Sequence, residues 1–226
     1  MSHSLEAKSS RQIKIGALIS YFALGIDVIA GLLYTPWIIR QIGDADYGLY
    51  TLATSLITMF MLDFGMSAAV AKFVSHYRAK GDQQGMNNFL GLIYKLYILV
   101  SAVICIVLMG VFFYIDQIYV KLTPTELNSL KIVYLMAGSS MVVGFPFVTL
   151  GGILNAHEQF APLKLADVFN KVVSIGLTIV ALLFGMGLYA LVAVQAIMSL
   201  VTIGVKLTMT RRYTRIQVNF RFLINK

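Results

Sequence analysis

Long, uninterrupted stretches of apolar residues alternate with short polar segments along most of the chain. A helix needs about 20 apolar residues to cross roughly 30 Å of hydrocarbon. The apolar positions are continuous rather than alternating, which favours helices over the strands of a membrane barrel. The pattern therefore predicts an all-α membrane protein with a six-transmembrane-helix bundle, its spans lying near residues 16–38, 49–71, 90–114, 131–154, 168–186 and 188–209.

The basic residues predict how this bundle is oriented. If the N-terminus is inside the cell, the outer segments hold only Arg40, Lys121 and Lys131. Most other lysines and arginines, including Lys171, then belong to inner segments. Because basic loops stay in the cytoplasm, both termini are predicted to be cytoplasmic.

The chain divides into three predicted parts: a cytoplasmic N-terminal segment (1–14), a transmembrane lobe (15–209) and a basic cytoplasmic linker or tail (210–226). The tail alternates basic and apolar residues, which suits either an interfacial segment on the inner leaflet or an unstructured linker. Gly187 leaves almost no loop between the last two spans, which predicts a tight helical hairpin.

Composition narrows the class of protein. With 58% hydrophobic residues, 12% charged residues and a mean hydropathy of +0.80, the chain has too little polar surface for a water-soluble globule. Its net charge of +8 is spread between the apolar runs, so nucleic acid is not an expected partner. Cys105 is the only cysteine, which excludes an internal disulfide.

Asp27 lies near the middle of the first span, where a carboxylate costs roughly 2.5 to 3.5 kcal/mol on insertion scales. It can line a transport cavity, or it can be protonated or hydrogen-bonded to a neighbouring helix and serve only packing. Its helical neighbours at spacings of three, four and seven form a mainly small and polar face, which is expected to point into the bundle. They are Ser20, Ala23, Leu24, Ala30, Gly31 and Tyr34.

Two further charges fall within predicted spans. Asp63, near the middle of the second span, either lines the cavity or serves helix packing. Lys95, a few residues into the third, either extends its stem so that the ammonium reaches the interface or meets a phosphate or an aspartate in the cavity.

Gly144 and Pro146 interrupt the fourth span, because proline removes a backbone hydrogen bond. They predict a kink that serves either as a hinge beside a transport site or as a packing feature. The sequence carries no phosphate-binding loop, no paired metal-ligand spacing and no catalytic constellation, so we expect neither an enzyme nor a cofactor or metal.

Four segments resemble a known family: TPWIIRQIG (35–43), DADYGLYTLATS (44–55), DFGMSAAVAKFVS (63–75) and GGILNAHEQF (151–160). They are similar to the N-terminal half of the polysaccharide transporter family, the Wzx-like flippases. That family lies in the superfamily of MATE exporters and MurJ-type lipid flippases.

The resemblance implies one lobe of a MATE-like two-lobe transporter that moves a lipid-linked oligosaccharide across the bacterial inner membrane. Its implied partners are membrane lipid, the lipid-linked oligosaccharide, and either a second lobe or a parallel homodimer. Cavity roles for Asp27, Asp63 and Lys95 follow from it only as expectations.

Two other functions stay open at this point. A MATE-type drug or cation exporter would use the aspartates to bind a cation or a coupling ion. A non-transporting membrane subunit, or an inactive fragment, would use them only for packing. The sequence leaves open the sugar, the lipid carrier, the coupling ion, the oligomeric state and whether this length is natural.

Overall fold

The computed structural model describes the backbone of residues 2–59 and 66–214, with side chains for 15–59, 67–212 and 214. Every regular element in these ranges is helical. The α-helices are α1 (Ser2–Ile29), α2 (Thr35–Ile42), α3 (Asp44–Thr58), α4 (Met66–Lys80), α5 (Gln83–Ile118), α6 (Pro124–Gly144), α7 (Thr149–Ala156), α8 (Phe160–Leu183) and α9 (Gly187–Tyr213).

The described residues include five stretches that are long and apolar enough to cross a membrane: Ile15–Ile42, Gln83–Ile118, Pro124–Ala156, Phe160–Leu183 and Gly187–Arg212. The predicted span at 49–71 falls instead on α3 and α4, and residues 60–65 between them lie outside the described part. The all-helical membrane architecture is confirmed, and the sixth span stays a prediction. The last helix ends at Tyr213, beyond the predicted lobe boundary at 209, and residues 215–226 of the tail lie outside the described part.

α6 lies at the centre of the bundle and packs against α3, α5 and α9. Leu49, Ala53 and Ile57 recur every four residues and so form one buried stripe on α3. They share a core cluster with Leu130 and Tyr134 of α6. Because lipid is as apolar as these side chains, close van der Waals packing rather than escape from water holds such helices together.

A second cluster joins α4 to α7 through Val70, Val74 and Ile153. Gly152 allows the close approach, since a Cβ atom there would lie 2.5 Å from the backbone oxygen of Ser67. Arg78 Nη1 donates to the carbonyl oxygen of Ala156 at 3.0 Å, which joins the last turns of the two helices.

Two interruptions divide the long spans. Pro36 has no amide hydrogen, and its ring crowds the carbonyl four residues earlier, at Leu32. The helix widens there into a π-helical segment, Ala30–Tyr34, in which the Thr35 N–H bonds back to the Ala30 carbonyl. In the fourth span, a 3-10 turn at Phe145–Val148 separates α6 from α7.

Ser101 of α5 explains how the second interruption is satisfied. Pro146 cannot donate to the carbonyl of Val142, four residues before it. The Ser101 hydroxyl donates to that carbonyl at 2.7 Å instead. The turn is therefore tied to a neighbouring helix by a hydrogen bond that a continuous α-helix would not leave available.

The predicted hairpin between the last two spans is confirmed. α8 ends at Leu183, α9 begins at Gly187, and the two helices pack along each other. Gly185 and Gly187 have φ of 73° and 65°, in the left-handed region that glycine enters without steric penalty.

Contacts between helix ends define one end of the bundle. A Cβ on Gly16 would lie 3.2 Å from the Cβ of Phe160, so the membrane part of α1 and α8 begin side by side. We call this the near end, marked by Gly16, Arg78, Ala156 and Phe160. Asp116 and Lys131 form a 2.6 Å ion pair between the last turns of α5 and the first turns of α6, at the opposite end.

Candidate functional site

Asp27 of α1 forms a salt bridge with Lys171 of α8. Each residue lies eleven positions after the contact between Gly16 and Phe160 at the near end. At 1.5 Å per residue, both are roughly 17 Å along parallel helices. The pair therefore sits about half-way across a hydrocarbon layer of roughly 30 Å.

This pairing offsets the insertion penalty that the Asp27 carboxylate would carry alone. The predicted inward face is correct for Ser20, Ala23, Ala30 and Tyr34, which are half-buried. It is wrong for Leu24 and Gly31, which are exposed. A helix that contacts mainly one neighbour buries a narrow stripe, so positions at the edge of the predicted face stay outside.

A second ion pair joins α8 to α9. Lys206 Nζ lies 2.9 Å from Asp167 Oδ1, with 23% and 40% of the two side chains exposed. Asp167 and Lys171 are four residues apart and so share one side of α8. That side presents a carboxylate to α9 and an ammonium to α1.

A cavity of about 670 Å³ opens between α5, α6 with its 3-10 turn, α8 and α9. Tyr97, Phe145 and Phe147 supply its aromatic surface. The rings of Tyr97 and Phe145 lie 5.3 Å apart between centroids, and both side chains are buried. Its polar lining consists of Ser140, Asn170, Gln195, Ser199, Thr202 and Lys206.

Hydrogen bonds already formed decide what these groups can still bind. Ser140 and Thr202 donate their hydroxyl hydrogens to the carbonyls of Met136 and Met198, at 3.1 and 2.8 Å. Their oxygens remain available as acceptors. The Asn170 Oδ1 atom is buried and has no hydrogen-bond partner among the described residues.

The structure places the predicted hinge beside this cavity. Gly144 lines it, and Pro146 lies in the 3-10 turn whose residues Phe145, Phe147 and Val148 also line it. The interruption of the fourth span is observed, whereas its motion as a hinge stays a prediction.

Of the predicted charged residues that the structure describes, Asp27 and Lys95 do not lie in one site. Asp27 and Lys95 are absent from the cavity lining, and Lys95 is half-buried on α5. No ion pair within the described part of the chain includes Lys95. Asp63 lies outside the described residues. The cavity roles of all three stay predictions.

Sequence reasoning missed Asp167, Asn170, Lys171 and Lys206. It assigned Lys171 and Lys206 to the cytoplasmic side, because they lie near the predicted start of the fifth span at 168 and the predicted end of the sixth at 209. α8 begins eight residues earlier, at Phe160, so Lys171 lies in its middle and not at its edge. The signal was an aspartate and a lysine four residues apart within a mostly apolar stretch, a spacing typical of one helix face.

His157 lies at the near end, between α7 and α8. Burial is the main factor that lowers its pKa, and the charge of Arg78 lowers it further. Its Nδ1 lies 2.9 Å from the carbonyl oxygen of Ile153, which can only accept, and this bond opposes the lowering of the pKa. The neutral imidazole is thus the form that fits this junction.

Comparison with known proteins identifies a family and a relative. The chain matches the family described as "Polysaccharide biosynthesis protein" over residues 14–226. It is 25% identical over 171 residues to the stage V sporulation protein B of Bacillus subtilis (strain 168). That alignment covers 73% of this chain and 31% of the relative, so the chain spans about a third of that protein's length. No solved structure matches the chain.

The family match agrees with the resemblance carried by the four sequence segments. It extends over almost the whole sequence and includes every described span and both intramembrane ion pairs of α8. The chain therefore belongs to the family of polysaccharide biosynthesis proteins.

Proposed function

We propose that this chain is one lobe of a flippase that moves a lipid-linked oligosaccharide across the inner membrane of a bacterium. The observation that carries the proposal is the match to a polysaccharide biosynthesis family over residues 14–226 of a chain built from membrane-spanning helices. In this role the protein is a transporter and not an enzyme. Both chain ends face the cytoplasm, as the basic residues predict.

The chemistry of the interior supports a polar substrate. A sugar headgroup loses its hydration when it enters the membrane, so its path requires polar side chains at depth. The two ion pairs of α8 and the amides and hydroxyls of the cavity lie within the described spans.

The same pairs favour the flippase over a cation exporter. An exporter needs a carboxylate that is free to meet a cation or a coupling ion. Of the aspartates predicted or found within the spans that the structure describes, Asp27 and Asp167 are each held by a lysine. A second lobe, or a second copy of this one, completes the transport path in this proposal.

The test is a clean deletion of the full-length gene in its own host. We expect radiolabelled lipid-linked oligosaccharide to accumulate in membranes while surface polysaccharide falls. Restoring the gene should reverse both changes. Unchanged levels of lipid-linked sugar, together with increased sensitivity to organic cations, would contradict the proposal and point to an exporter.

A further inference from the structure

We infer that the cavity between α5, α6, α8 and α9 is a binding subsite for an uncharged, hydroxyl-rich sugar ring, inside this lobe. The inference rests on the proposed function and adds a location and a charge preference to it. It is distinct from the Asp27–Lys171 pair, which does not line the cavity.

The size and walls of the cavity suit such a ring. Its volume of about 670 Å³ falls within the range of roughly 300–1,000 Å³ typical of small-molecule sites. Phe147 is the lining aromatic that is half-buried rather than buried, so the C–H face of a sugar can pack against its ring. Amides and hydroxyls on α8 and α9 lie among the other lining groups.

The polar lining is rich in acceptors. Ser140 and Thr202 have already donated their hydrogens to the backbone, so they offer only lone pairs. Asn170 also lines the cavity, and its buried Oδ1 has no hydrogen-bond partner within the described part of the chain. A ligand that carries several hydroxyl donors would satisfy the acceptors of Ser140 and Thr202.

The charges of the lining favour an uncharged sugar over a cation or an anion. The charged residue of the lining is Lys206, and Asp167 neutralises it at 2.9 Å. A cation would meet the ammonium of Lys206 with no available carboxylate. An anion would have to displace Asp167 from Lys206. An uncharged ring leaves the pair intact and can accept a hydrogen bond from the ammonium.

The test measures protection of a cysteine in the cavity. Ser199, half-buried in the lining, is replaced by cysteine in the complete chain with Cys105→Ser, reconstituted in lipid nanodiscs. A neutral, membrane-permeant maleimide reports its labelling rate. The probes are the methyl glycosides of glucose, galactose and N-acetylglucosamine, then glucuronate and tetramethylammonium. Ser139→Cys is the matched control, because Ser139 is exposed and lies outside the lining.

At least one neutral glycoside is expected to slow labelling of Ser199→Cys by about fivefold at four times its Kd, and to leave Ser139→Cys unaffected. Asn170→Leu and Thr202→Val should each reduce that protection. Asp167→Asn should increase the protection of Ser199→Cys by glucuronate, because it leaves the Lys206 ammonium without its carboxylate partner. A gain of protection by glucuronate in Asp167→Asn cannot come from misfolding.

Absence of protection by every neutral glycoside would overturn the inference. So would stronger protection by tetramethylammonium, or equal protection by glucuronate in the parent. If the full-length protein still exports lipid-linked sugar, such a result defeats the subsite alone. Protection without any effect of gene deletion on lipid-linked sugar would defeat the proposed function and leave the subsite standing.

Discussion

Asp27 and Lys171 compensate each other at mid-depth, where either charge alone is costly. We expect Asp27→Ala and Lys171→Ala each to destabilise the protein by up to about 3 kcal/mol, an upper bound because both side chains are partly exposed. The double variant should lose less stability than the two single variants added together, since it removes both charges at once. Fluorescence-detected thermal unfolding in detergent measures this coupling.

The Asp116–Lys131 pair is the matched control for that cycle. It lies near helix ends, where long side chains can reach the interface, so its coupling should be about 0–1 kcal/mol. Equal coupling energies for the two pairs would contradict the mid-membrane placement of Asp27 and Lys171.

His157 should make stability depend on pH. Its pKa is lowered in the folded state, so the unfolded chain, with an ordinary value of about 6.5, binds more protons as the pH falls. The free energy of unfolding should therefore be highest above about pH 6.5 and decline below it. Thermal unfolding between pH 7.5 and 5.5 should show a smaller decline for His157→Gln than for the parent.

The exposed His76 provides the comparison for this measurement. His76→Gln should retain the decline of the parent below about pH 6.5. If His76→Gln and His157→Gln flatten the profile equally, the junction between α7 and α8 is not its origin.

At the scale of elements, the contact between α4 and α7 depends on a missing side chain. Gly152→Ala would place a methyl group 2.5 Å from the Ser67 backbone oxygen and 3.2 Å from Val70. Forcing the helices apart typically costs about 1–3 kcal/mol, more than the gain of up to about 1 kcal/mol in helix propensity. We expect a lower unfolding temperature for Gly152→Ala.

Gly151 offers a control one residue away. An added Cβ there meets nothing within 4 Å, so Gly151→Ala should be neutral or stabilising. Equal unfolding temperatures for Gly151→Ala and Gly152→Ala would contradict the close approach of α4 and α7.

The interruption of the fourth span couples two helices through Ser101 and Pro146. Ser101→Ala should cost about 1–3 kcal/mol, because it leaves the Val142 carbonyl buried without a donor. In a Pro146→Ala background, position 146 has an N–H for that carbonyl, so the same change should cost less. Unfolding measurements on the four proteins of this cycle test the link.

Ser139→Ala separates this effect from the general loss of a serine. Ser139 is exposed and donates to Met136 within its own helix, so its replacement should have the same small effect in both backgrounds. A Ser101→Ala cost that is independent of Pro146 would show that the hydroxyl does not replace the missing amide.

For the whole molecule, the side of the membrane on which each loop lies gives the number and direction of the membrane crossings. With six spans and a cytoplasmic N-terminus, residues 81–82 and 157–159 face the cytoplasm, and residues 119–123 and 184–186 face outwards. Single cysteines in the Cys105→Ser background, treated with an impermeant thiol reagent on intact cells, should label only in the outward loops. Labelling at 81–82 from outside would mean that residues 44–80 do not cross as one span.

Continuous apolar runs were sufficient to predict an all-helical membrane protein, because hydrocarbon requires every backbone group to be paired within its own helix. Proline at 146 was likewise sufficient to predict a break in the fourth span, since it lacks the N–H that a continuous helix needs. Gly187 marked the hairpin between α8 and α9, because so short a connection leaves antiparallel packing as the outcome. Each of these properties depends on residues that are close in the sequence.

Only the tertiary structure decided how the charges combine. Asp27 was identified from its depth, but its partner Lys171 lies on another helix, at a depth that depends on where α8 begins. The cavity likewise gathers side chains from four helices, and whether Asn170 or Lys206 faces it depends on the rotation of α8 and α9 against their neighbours. Hydrophobicity fixes that a segment crosses the membrane, whereas close packing between helices fixes its rotation and partners.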